Sequence, residues 1–204
     1  MDGTLLDSGQ DITASINHVR KVQYGLEALE SEYVIEAINR TERNLPKLFY
    51  NTEIYEESAR ALFEPHYHEQ CVQNVRLYDG IEATLETLKE QGFLMSVATN
   101  APSHFASRMI SHLGIEGYFD HIVGANLVQS PKPHPDLLHL IFEKYGFNIA
   151  KHKAWMVGDS SKDMGVAKNV GITSIFATWG FSKDGKGDFV ISHPSEILEI
   201  VRKL

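Results

Sequence analysis

Four short stretches of this chain carry residue types suited to handling phosphate. Asp2, Gly3, Thr4 and Asp7 stand near its start. Thr99 and Asn100 follow the apolar run 93–98, and Asp159 and Asp163 follow the run 154–157. Lys132 lies between two prolines in Ser130-Pro131-Lys132-Pro133-His134-Pro135-Asp136. Ligands of open parallel sheets collect outside the carboxyl ends of the strands, so one hydroxyl, one ammonium and several carboxylates are expected on one edge. Such a set suits magnesium-dependent phosphate chemistry. Mg²⁺ takes an octahedron of oxygen donors and uses one or two carboxylates plus phosphate oxygens and water. Asp159 is the first candidate ligand, with Asp163 as direct or water-mediated support. A lysine and a hydroxyl can hold the remaining phosphate oxygens and offset charge in transfer. Taken singly, each residue has a plainer reading. A Gly-Asp pair is usually a turn, Asp163 suits a helix cap, Lys132 an exposed loop and Thr99 a strand end. Their joint order at strand ends singles them out.

The elements that must position them read as alternating helices and strands. Ile81, Leu85 and Leu88 recur at helical spacing before Gly92, and 93–98 reads as a buried strand. Pro102 and Ser103 open a second helix, with Phe105, Met109 and Leu113 on one face. Further strands are expected at 119–123, 154–157, 173–177 and 189–191, and helices at 135–145, 161–169 and 195–203. This alternation predicts a mainly parallel sheet covered on both faces. Residues 10–75 show no strong strand. Ile12, Ile16 and Val19 form one helical stripe, Val34, Ile35 and Ile38 a second, and 55–71 reads as a long helix. An all-helical block near the start of an α/β unit is a lid-type insertion. The expected division is a discontinuous α/β core, 1–9 with 76–204, and a helical cap, 10–75. Residues 182–187 read as a polar, mobile loop.

Composition narrows the partners. The chain has 204 residues, with 19 Lys and Arg against 27 Asp and Glu, a formal charge of -8. Nucleic acid and anionic membranes favour basic surfaces, so neither is expected as the main partner. Cys71 is the only cysteine, which excludes an internal disulfide, a cysteine zinc site and an iron–sulfur cluster. No apolar run approaches the roughly 18 residues of a membrane span, and no signal pattern opens the chain. A cytoplasmic monomer or homodimer is the expectation.

Asp-Gly-Thr-Leu-Leu-Asp-Ser (2–8), Ser-Val-Ala-Thr-Asn (96–100), Lys-Pro-His-Pro-Asp (132–136) and Val-Gly-Asp-Ser-Ser-Lys-Asp (157–163) resemble the four ordered motifs of the haloacid dehalogenase superfamily. The resemblance spans essentially the whole chain, and within the superfamily it is closest to phosphoglycolate phosphatases. It implies a Rossmann-like parallel sheet with a small inserted helical cap. It also implies a small phosphorylated metabolite as substrate, and an aspartate nucleophile that forms an aspartyl-phosphate. Asp2 matches the general acid/base, whose backbone carbonyl also touches Mg²⁺. Thr99 and Asn100 match phosphate-binding positions, and Lys132 bridges phosphate and nucleophile. Asp159 ligates the metal and Asp163 steadies it. Asn44-Leu45-Pro46-Lys47-Leu48 resembles a cap segment of the phosphatases, although glycines usual near its start are replaced by Glu42 and Asn44. Arg40, Arg43 and Lys47 are candidates to grip a substrate carboxylate, Arg43 first, since arginine offers a two-pronged donor. Solvated helix-face charges are the alternative for each.

In the family pattern the nucleophile stands two residues before the acid/base, a position just before Met1. The central strand leading to it is expected to be absent as well. Adjacent strands lie about 4.8 Å apart, so its neighbours are expected about 9.6 Å apart. A start assigned too late, at Met1, is the favoured explanation, and the 204-residue chain is expected to be inactive. The rivals are a phosphosugar mutase of the same superfamily and a metabolite-binding pseudoenzyme.

Overall fold

The computed structural model describes residues 1–40, 43–182 and 185–203. Glu42 of the cap segment and Lys183 and Asp184 of the polar loop fall outside them. The chain forms two compact units, one of Met1–Leu6 with the chain from Leu77 onward, the other of Asp7–Arg76. The short strands β1 (Leu6–Asp7) and β2 (Arg76–Leu77) pair with each other where the chain passes from one unit to the other.

The second unit is built on helices α1 (Gly9–Tyr24), α2 (Ser31–Asn39), α3 (Leu45–Tyr50) and α4 (Glu57–Gln70). The predicted stripe is used as expected: Ile16 and Val19 of α1 pack with Val34 and Ala37 of α2, Phe49 and Tyr50 of α3 and Ala59 of α4. Asn44 starts α3 by accepting the Lys47 amide on its side-chain oxygen at 3.1 Å, which satisfies an N–H that the first helical turn leaves open. Two charged side chains are buried here without having been singled out in the sequence. Arg20 donates to the Glu27 and Phe49 carbonyls. Asp11 accepts from Gln70 Nε2 (2.9 Å), the Asn74 amide (3.0 Å) and Asn74 Nδ2 (2.7 Å).

The first unit alternates helices and strands: α5 (Ile81–Glu90), β3 (Ser96–Thr99), α6 (Ser103–His112), β4 (His121–Gly124), α7 (Asp136–Tyr145), β5 (Trp155–Gly158), α8 (Ser161–Val170), β6 (Thr173–Ala177), β7 (Phe189–Ile191) and α9 (Glu196–Lys203). Parallel β3 and β4 form one ladder and parallel β5, β6 and β7 another. The single expected sheet is therefore divided, and among the described residues β3 and β5 share no ladder. Alternate residues of β5 serve opposite faces, as strand geometry requires. Met156 packs with Leu137, Leu138 and Ile141 of α7 and Val166 and Ala167 of α8. Trp155 and Val157 pack with Leu88 of α5 and Ile197, Ile200 and Val201 of α9.

The strand read at 93–98 begins later, at Ser96, and Leu94 is 69% exposed. The Phe93 amide still closes α5 by donating to the Leu88 carbonyl at 3.0 Å, while the Met95 carbonyl accepts the Asp120 amide at 2.8 Å and the side chains of Phe93 and Met95 both pack against the core.

Candidate active site

The N-terminal turn is drawn tight: the Met1 carbonyl accepts from the amides of Thr4, Leu5 and Leu6 at 2.8 to 3.2 Å. Gly3 makes this possible with φ +72°, and a Cβ there would stand 2.1 Å from Asp159 Oδ2. Thr4 Oγ1 donates to Asp159 Oδ1 at 3.0 Å, and the Phe181 amide donates to Asp159 Oδ2 at 2.8 Å. Trp179 Nε1 donates to the Thr4 carbonyl at 3.0 Å, which ties the loop after β6 to the same turn. A Cβ on Gly180 would lie 1.9 Å from the Gly3 carbonyl oxygen, so this loop approaches backbone to backbone.

Asp163 lies in the first turn of α8. Its Oδ2 accepts from the Ser160 amide (3.2 Å) and hydroxyl (2.6 Å), and the two residues form a capping box. Its Oδ1 meets Lys132 Nζ at 2.6 Å, with both side chains under a tenth exposed. Asp163 thus caps α8 with one oxygen and pairs with Lys132 through the other. Lys132 Nζ also donates to the Ala98 carbonyl at the end of β3, at 2.6 Å. Thr99, the last residue of β3, is buried, and its hydroxyl accepts the Ala101 amide at 3.1 Å. The half-buried Asn100 is bonded twice to the Lys132 backbone. Its Oδ1 accepts the Lys132 amide at 2.8 Å and its Nδ2 donates to the Lys132 carbonyl at 3.0 Å.

The charges follow from burial. Burial is the largest influence on Asp159 and pushes its pKa up, reinforced by the negative charge of Asp163. The Met1 α-amino group, the Phe181 amide and Thr4 pull it back only in part. Burial also opposes ionisation of Asp163, but Lys132, the α-amino group and Ser160 outweigh it and hold that carboxylate below the usual range. The Met1 α-amino group lies in the field of Lys132, Asp2, Asp159 and Asp163, and burial lowers its pKa.

Lys132, Asp159 and Asp163 are thus gathered with Thr99, Asn100 and the Met1–Thr4 turn that carries Asp2. Arg43 belongs to the other unit. Its guanidinium donates to the carbonyls of Ile38 and Arg40 and lies in the field of Tyr55. That unit has its own cleft of about 610 Å³, lined in part by Asn17, His18, Lys21, His66 and Gln70. No predicted site residue lines it. The sequence reading named Thr4 but not its bond to Asp159, and it missed Trp179 as a donor and the stacking of His66 on His18 at 4.1 Å.

A hard cation fits this donor set. Asp159 is a buried carboxylate with one neutral donor on each oxygen and a second negative charge beside it, so an added positive charge would relieve it. Among the described residues no three His, Cys, Asp or Glu side chains form a group able to hold a metal. An ion here would therefore depend on one or two carboxylates completed by main-chain, phosphate and water oxygens, as Mg²⁺ is commonly held.

A sequence model of the family described as haloacid dehalogenase-like hydrolase matches residues 1–177. A phosphoglycolate phosphatase of Aquifex aeolicus is 32% identical over 203 residues, 98% of this chain and 93% of that protein. One from Vibrio parahaemolyticus is 30% identical over 215 residues, again 98% of this chain and 93% of that protein. The crystal structure of a predicted phosphoglycolate phosphatase from Haemophilus somnus shares the fold with a TM-score of 0.85 at 26% identity, covering 98% of this chain and 95% of that one.

Proposed function

The chain belongs to the haloacid dehalogenase-like hydrolase family, and from that premise we propose a Mg²⁺-dependent phosphatase of a small phosphorylated metabolite, phosphoglycolate first. The observation that carries the reading is the buried Lys132–Asp163 pair at 2.6 Å beside the Asp159 carboxylate, at the ends of β3 and β5. Asp159, with Asp2 and with Asp163 in support, would hold Mg²⁺, which when bound neutralises charge on the phosphoryl oxygens. Lys132 and the Thr99 hydroxyl bind and orient the phosphate. Asp2 protonates the leaving alkoxide and then takes a proton from the attacking water. Arg43 is assigned to the substrate carboxylate, and the helical unit is read as the cap.

A carboxylate nucleophile divides the displacement into two steps through an aspartyl-phosphate. The reading places that aspartate in the residue before Met1. The division of the ladders between β3 and β5, where family topology sets the nucleophile strand, supports this. The test compares the 204-residue chain with a form extended upstream by an apolar strand ending in Asp. The extended form is expected to release phosphate from phosphoglycolate only with Mg²⁺, and the shorter chain to release little or none. Turnover by the shorter chain that Asp2→Asn abolishes would show the nucleophile assignment wrong. No release by the extended form from any phosphorylated metabolite would remove the phosphatase reading. Exchange of label with a sugar bisphosphate, without free phosphate, would point to a mutase.

A further inference from the structure

We propose that Asn100 is a positioning residue for Lys132 and not a group that holds the phosphate itself. The inference rests on the phosphatase reading, in which Lys132 contacts the substrate. It departs from the sequence expectation that Asn100 binds substrate.

The argument starts from complementarity. A primary amide offers one acceptor and one donor side, and here they face the N–H and C=O of one residue, Lys132, at 2.8 and 3.0 Å. Rotating the amide by half a turn would set NH₂ against N–H and oxygen against oxygen, so the pairing fixes the Asn100 side chain in one orientation. The clamp joins the residue after β3 to a loop 32 positions later. That loop carries no strand of its own between β4 and α7. The Lys132 ammonium is then directed by two further bonds of 2.6 Å, to the Ala98 carbonyl and to Asp163 Oδ1. An ammonium has three donors, so with two so used its third has a set direction. Asn100 acts on the peptide, Ala98 and Asp163 on the tip, and together they fix both ends of a side chain that otherwise has four rotatable bonds. The clamp holds backbone atoms, so it persists when the lysine side chain is replaced.

This gives a separable test. Calorimetric titration with inorganic phosphate in the presence of Mg²⁺ would be run on the full chain, Asn100→Ala, Lys132→Gln and the double variant. Amide hydrogen exchange at Lys132 would be followed in the parent and in Asn100→Ala. Asn100→Ala is expected to weaken phosphate about tenfold, the scale of one to two hydrogen bonds' worth of positioning. The double variant is expected to match Lys132→Gln within about twofold, since a residue acting through the ammonium has nothing further to lose. The Lys132 amide is expected to exchange faster. The proposal is overturned if Asn100→Ala weakens phosphate by the same factor in both backgrounds, which marks direct contact, or if Lys132 protection is unchanged. Failure of both the parent and its upstream-extended form to bind phosphate would instead overturn the phosphatase reading, and this inference with it.

Discussion

Replacing Lys132 with Met probes the buried pair on which the candidate site is built. Lys132 and Asp163 meet at 2.6 Å with side chains 6% and 7% exposed. Removing one partner of such a pair leaves the other charge buried and costs about 3–5 kcal/mol. The structure places the effect at the lower end, because Ser160 still gives Asp163 two hydrogen bonds and the Met1 α-amino group lies in the same field. A loss of about 3 kcal/mol is a large share of the roughly 5–15 kcal/mol of a typical domain. At about 2–4 °C per kcal/mol it lowers the melting temperature by about 6–12 °C. Urea unfolding followed by tryptophan fluorescence suits the measurement, because both tryptophans, Trp155 and Trp179, lie in the α/β unit. Lys132→Met with Asp163→Leu is expected to recover at least half of the loss. Apolar replacement of a whole buried pair is often neutral or better, while the lost Ser160–Asp163 cap costs about 1 kcal/mol. A single variant within about 1 kcal/mol of the parent, or a double variant no more stable than the single, would refute the claim that burial makes this pair energetically coupled.

Three further outcomes are expected. Gly180→Ala puts a methyl 1.9 Å from the Gly3 carbonyl oxygen and is expected to cost about 3 kcal/mol by overpacking; Gly25→Ala, at φ +61° in open space, should cost only about 1–2 kcal/mol, and equal urea midpoints would contradict this. Asp11→Ala strips three donors of their acceptor and is expected to cost about 3 kcal/mol, read as faster amide exchange at Asn74. Burial, and then His18, lower the His66 pKa below its ordinary 6.5. The unfolded chain therefore takes up the proton first, and this stability is full above about 6.5 and declines as pH falls below it. Urea midpoints by circular dichroism at about pH 7.5 and 5.5 should show the decline, and His66→Phe should remove that component while keeping a ring against His18.

Several features of the site were legible because they are local. Strands β6 and β7 fall where their apolar runs place them. The Ser160–Asp163 cap is likewise a matter of spacing along one chain segment. The partners of Asp159 were not legible. Thr4 reaches it across 155 positions, and Trp179 meets Thr4 across 175, and no periodicity carries such distances. Asn100 was read as a substrate ligand because its motif position suggests one; which atoms its amide faces depends on how the loop at Lys132 folds against β3. Leu94 is an apolar residue read as buried that the structure leaves exposed.

By itself, the order of residues determined the class of fold, the chemistry of the donors and the strand ends at which they stand, since hydrophobic period and turn residues act over one or two elements. Only the packed chain decided what each polar atom does. Hydrogen-bond pairing is settled within about 3 Å, and groups far apart in sequence reach that range only after the helices and strands have closed on their common core.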